Sequence, residues 1–79
     1  MWAVEYEQEA ANYLFDNGQL VAHLFFAMEA LAQTEGIPPD GMRQIQPGFF
    51  SAVVAEHQIF FYRDAINRIV SIVAIQPPA

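Results

Sequence analysis

Phe49-Phe50-Ser51-Ala52-Val53-Val54-Ala55-Glu56-His57-Gln58-Ile59-Phe60-Phe61-Tyr62-Arg63 is the stretch that decides the fold class of this chain. It divides at Glu56 into two β-rich halves, Phe49 to Ala55 and His57 to Arg63, close enough in sequence to pair antiparallel. Phe49, Phe50, Val53, Val54, Ile59, Phe60, Phe61 and Tyr62 place apolar groups on both faces, unlike the clean alternation of a sheet with one wet side. The second face therefore needs a cover.

Working outward, Ile69-Val70-Ser71-Ile72-Val73-Ala74-Ile75 has the same two-faced character. It belongs to a strand from Arg68 to Gln76, which Pro77-Pro78 ends because proline cannot donate to a ladder. Upstream, Met42 to Gln46 and a Pro47-Gly48 turn or bulge complete a three- to four-stranded antiparallel meander. The prolines and glycines of Gly36-Ile37-Pro38-Pro39-Asp40-Gly41 cannot sustain a helix, so this is a loop. Before it, Gln19 to Thr34 reads as a helix whose stripe of Leu20, Val21, Leu24, Phe25, Met28, Leu31 and Ala32 faces the core. Phe26 projects almost opposite. A shorter helix, Gln8 to Asp16, ends at Asn17-Gly18, where glycine takes the conformation that closes a helix. Trp2, Val4 and Tyr6 alternate with Ala3 and Glu5 as a first strand. The expectation is one α+β domain over 1–79: an N-terminal strand, two helices and the meander.

Composition narrows what such a domain does. Hydrophobic residues are 54% of the chain and charged residues 15%, against typical shares of about 45–50% and 25%. A domain this small has little interior, so part of the apolar excess should lie outside as a partner or oligomer surface. With three arginines, no lysine and a net charge of −6, the chain repels polyanions and is ill suited to grip naked nucleic acid. There is no cysteine, so packing must supply nearly all the stability. No apolar run reaches the roughly 18–20 residues of a membrane span and no basic leader precedes one, which reads as a cytoplasmic protein without membrane association.

The order strand, helix pair, meander resembles the RelE/ParE superfamily of type II toxin–antitoxin toxins. Glu9-Ala10-Ala11-Asn12-Tyr13-Leu14 is similar to the family's first helix. Met42-Arg43-Gln44-Ile45-Gln46-Pro47-Gly48-Phe49-Phe50 is similar to its basic residue before a glycine and an aromatic-led strand. His57-Gln58-Ile59-Phe60-Phe61-Tyr62-Arg63 resembles the ParE-side pattern on a central strand, and Asn67 to Val73 the closing strand. The resemblance implies a toxin component with an antitoxin as its protein partner. It also exposes departures. Gln58 stands where RelE-like members carry an arginine, and Ile75-Gln76-Pro77-Pro78-Ala79 lacks the family's terminal His, Arg or Tyr. ParE-type members inhibit DNA gyrase without cutting nucleic acid, and the acidic sequence is easier to reconcile with that branch.

RNA cleavage without a metal needs proton-transfer groups and cations for the phosphorane. His57 is the candidate acid–base, with Arg43 and Arg63 as its phosphate partners and Tyr62 and Arg68 as further contacts. The bland alternatives are a histidine at a strand entrance, a strand-edge charge at Arg43, and Arg63 with Arg68 sharing the Asp64 carboxylate across their turn. His23, at the edge of the helical stripe, reads as structural. No metal-ligand spacing or phosphate loop occurs, and Glu5, Glu7 and Glu9 read as solvated charge, so no cofactor or metal is expected. Phe26, Phe61 and Tyr62 are the candidate partner surface. Three functions follow: a RelE/ParE-like toxin component acting through protein contact, an interaction module that kept the fold and lost the chemistry and forms a homo-oligomer or holds a protein partner, or a metal-independent ribonuclease using His57. The residues favour binding over catalysis.

Overall fold

The computed structural model describes residues 1–78; Ala79, the last residue of the expected domain and of its tail, lies outside the described residues. Strand β1 (Ala3–Tyr6) leads into helix α1 (Gln8–Asn17), a 3₁₀ turn (Gly18–Val21), helix α2 (Ala22–Glu29) and a second 3₁₀ turn (Ala30–Gln33). Strands β2 (Arg43–Gln46), β3 (Phe49–Val54), β4 (His57–Asp64) and β5 (Ile69–Gln76) follow. The α+β class and the strands of the meander stand, with two corrections.

The first concerns the helices. They form one helical run of 26 residues instead of two separate elements. Gly18 does interrupt the α-geometry, with φ 49°, but the chain re-enters a helical turn at once and no loop intervenes. The stripe that the sheet covers is narrower than the apolar face of the sequence, and Leu20 and Phe25 fall at its two edges. Val21, Leu24, Met28 and Leu31 reach the core, whereas Leu20 and Phe25, expected beside them, are exposed.

The second correction concerns the sheet. It is a single five-stranded mixed sheet in the order β1-β5-β4-β3-β2. β1 does not stand apart from the meander but pairs parallel with β5, Ala3 against Ile69 through Tyr6 against Ile72. The other three pairings are antiparallel.

Register divides the sheet into two faces. One carries Val4 and Tyr6 of β1, Val70, Ile72 and Ile75 of β5, Ile59 and Phe61 of β4, and Phe50, Ala52 and Val54 of β3. The helical run packs here, burying Ala10, Val21, Leu24, Met28 and Leu31 against Ile59, Phe61, Val70 and Ile72. Phe61, Leu24, Met28, Leu31, Ile59, Ile72 and Val70 are fully enclosed, each such side chain contributing about 1.5–3 kcal/mol. Tyr6 ties the layers together: its ring stacks on Phe25 with centroids 5.9 Å apart and its hydroxyl donates to Glu29 Oε2.

Two connections depend on unusual backbone. Val54 pairs with His57, so Ala55 and Glu56 form a two-residue turn, both with positive φ (49° and 68°). That is the twist a tight hairpin needs, but without the usual Asn or Gly each residue costs about 1 kcal/mol. At Gly36, φ is 77° and an added Cβ would lie 2.7 Å from Val70 Cγ2. Gly36→Ala should therefore lower stability by about 1–3 kcal/mol, measured by urea denaturation; an unchanged midpoint would show that the loop shifts freely.

Burial first, then the bond to Glu29 and its charge, holds the Tyr6 phenol far above its ordinary value of 10.0. An unfolded chain ionises its tyrosine near 10 while the folded one stays protonated. This contribution is complete below that pH and is lost as pH rises towards the folded value. Tyr6→Phe should flatten the decline of thermal stability between about pH 9 and 11; parallel curves for the two proteins would contradict the assignment.

Candidate functional site

The opposite face of the sheet has no helix over it. Register places Ala3 and Glu5 of β1, Ile69, Ser71 and Ala74 of β5, Gln58, Phe60, Tyr62 and Asp64 of β4, Phe49, Ser51 and Val53 of β3 and Arg43 of β2 on this side. At its centre Phe49 lies 4.6 Å from Tyr62 and 6.4 Å from Phe60 between ring centroids. Aromatic pairs at such spacing pack as a unit. Tyr62 is 44% exposed and Val53 58%, while Phe49 and Phe60 are half-buried by their neighbours alone. A broad depression of about 620 Å³ crosses the same side, lined by Glu5, Tyr62, Asp64, Ile66, Ile69 and Ser71 among others.

The three candidate catalytic residues are not brought together. His57 opens β4 on the helix-covered side, half-buried, with its ring 5.9 Å from that of Tyr13. Its Nδ1 lies 2.8 Å from the Ala55 carbonyl oxygen, so Nδ1 donates and a neutral ring keeps Nε2 as an acceptor. Arg63 sits at the far end of the same strand, about 20 Å away for six residues of extended chain. Arg43 is exposed on β2, paired with Ser51 and therefore on the other face. General acid–base catalysis requires groups within hydrogen-bond reach of one substrate, and these three do not converge.

Arg63 has a different employment. Its guanidinium lies 4.8 Å from the Trp2 ring centre and its Nε donates to the Glu35 carbonyl oxygen at 2.7 Å, pinning the loop after the helical run to the sheet. It does not share the Asp64 carboxylate with Arg68. That carboxylate accepts from the Asn67 and Ile66 amides and from the Asn67 side chain, which hold its pKa below the ordinary value, the Asn67 backbone bond contributing most. Arg63 and Arg68 flank one turn, as expected of such a pair, but the Asx-type hydrogen bonds of Asp64 satisfy its carboxylate locally.

The candidate partner surface also needs correction. Phe61 is fully buried, opposite Phe50 and Ile72 on the covered face, and cannot meet a partner. Tyr62 lies on the open face, whereas Phe26, 70% exposed, lies on the helical layer with Phe15 and Leu20, the other strongly exposed apolar residues there. These are two surfaces on opposite sides of the molecule. Phe49 and Phe60 are not recognisable as partners of Tyr62 from the sequence, because a strand apolar on both faces does not reveal which side is covered. His23, read as structural, is exposed.

Among the described residues no three His, Cys, Asp or Glu side chains converge to hold a metal ion, and no helix is long and apolar enough to cross a membrane. Comparison with protein-family profiles, with curated proteins and with solved structures finds no match.

Arg63→Gln should cost about 1–2 kcal/mol of stability by removing the Trp2 stacking and the charge-assisted bond, while Arg43→Gln should change it by less than about 0.5 kcal/mol. Chemical denaturation checks both; equal effects would show that Arg63 is as free as Arg43.

Proposed function

We propose that this protein acts by binding protein through the uncovered face of its sheet, as a RelE/ParE-like component of a toxin–antitoxin module that does not itself cleave RNA. The observation that carries the reading is the Phe49–Phe60–Tyr62 cluster, apolar, partly exposed and without a covering element. Contiguous apolar surface of this kind marks interaction sites, and exposed tyrosines are frequent anchors of them. The separation of His57, Arg43 and Arg63 and the absence of lysine argue against a nuclease centre. The toxin component rests on the sequence resemblance, which supplies the strand–helix–meander order and the His57 to Arg63 strand.

Expression of the chain without a partner should arrest growth. The arrest should persist with His57→Ala and disappear with Tyr62→Glu, a substitution at an exposed position. Unimpeded growth at verified soluble expression would remove the toxin reading. Arrest abolished by His57→Ala, together with RNA cleavage by the purified protein, would return the ribonuclease.

A further inference from the structure

We infer that the occupant of the uncovered sheet face is the same face of a second copy of this chain, giving a two-fold sandwich of two five-stranded sheets with the helical layers outside. The inference rests on the reading that this face binds protein, and it names the partner.

The first support is symmetry. β4 is the middle strand of the order β1-β5-β4-β3-β2. A two-fold axis parallel to the strands and passing over β4 superposes each sheet fully on the other, β1 over β2 of the partner. Sheets pack in this way about 10 Å apart with strands nearly aligned. The aromatic cluster on β3 and β4 then lies near the axis, where a self-complementary contact must have its core.

Charge is the second support. Of nine acidic residues, only Glu5 and Asp64 stand on this face, and Asp64 is engaged by its own turn. The other seven belong to the helical layer, loops and turns. A molecule of net charge −6 can thus join two copies with acid facing acid only at the Asp64 end of β4, where the axis sets this residue opposite its own copy, and a basic partner would be drawn to its other side. Glu5 lies at the β1 edge and Arg43 at the β2 edge, so the same axis brings Glu5 of one copy towards Arg43 of the other, twice. Glu5 is level with Tyr62, and Arg43 is level with Phe60. The offset is two residues, about 7 Å, which an extended arginine side chain spans.

Area is the third. Five strands at about 4.8 Å by six residues at about 3.3 Å give a footprint of about 480 Å² per copy. Two copies contribute about 960 Å², close to the roughly 1,000 Å² of the smallest biological interfaces and below the roughly 1,200–2,000 Å² of standard ones.

Sedimentation equilibrium on the full chain tests this. The wild type should be dimeric at micromolar concentration. Tyr62→Glu should raise the dissociation constant by about 100-fold or more, with an unchanged circular dichroism spectrum as the folding control. Glu5→Arg and Arg43→Glu should each raise it about tenfold, and the double variant should return it to within about threefold of wild type. A wild-type monomer at all concentrations overturns the inference. So does a dimer indifferent to Tyr62→Glu but broken by Phe26→Glu, which would place the contact on the helical layer, or a double charge swap that restores nothing. A monomer whose growth arrest still depends on Tyr62 overturns self-association while keeping the protein-binding reading; a Tyr62-dependent dimer without growth arrest supports the inference and removes only the toxin.

Discussion

One helical layer packed on one face of a sheet that is apolar on both is the constraint from which the rest of this structure follows. The helical run supplies Leu24, Met28 and Leu31 to meet Ile59, Phe61, Val70 and Ile72, and with no cysteine in the chain that burial is the main source of stability. A single run of this length covers a single face. The sheet's other aromatic row is left to whatever meets it from outside, so the core and the candidate functional surface are two sides of the same strands.

Much of this was legible in the sequence. The strands from Phe49, His57 and Arg68 appear within about two residues of where β-rich composition and the flanking Gly and Pro place them, because these signals are local. Pairing and facing are not local. That β1 would insert beside β5 depends on contacts between the two ends of the described chain. That Phe61 would turn inward and Tyr62 outward depends on a register which a two-faced strand cannot announce. Leu20 and Phe25 stand at the edges of the helical stripe, on either side of Val21, Leu24, Met28 and Leu31, and periodicity alone does not say how wide a stripe one sheet face covers. The Ala55-Glu56 turn carries none of the usual Asn-Gly chemistry, so its hairpin geometry was evident only from the strands it joins.

The candidate catalytic residues show the limits of reading a motif along a strand. His57 and Arg63 belong to one seven-residue pattern, yet a strand keeps its ends far apart and gives adjacent residues opposite faces. Arg63 is consumed by Trp2 and the Glu35 carbonyl, and Arg43 stands on the far side of the sheet. The cations that the resemblance would assign to RNA are distributed here as a structural clamp and an edge charge.

The parallel pairing of β1 with β5 also sets an order of events. Ala3 finds its neighbour only when Ile69 is available, whereas β2 to β5 assemble from sequence-adjacent hairpins. Long-range closure of this kind is slow relative to local pairing. During synthesis the apolar side of β1, with Trp2, Val4 and Tyr6, must therefore wait unpaired until nearly all of the described chain has left the ribosome. The last described strand is the one that admits the first, and until it is in place a nascent chain presents both an open edge at β4 and an unburied strand, the two features most prone to association with the wrong partner.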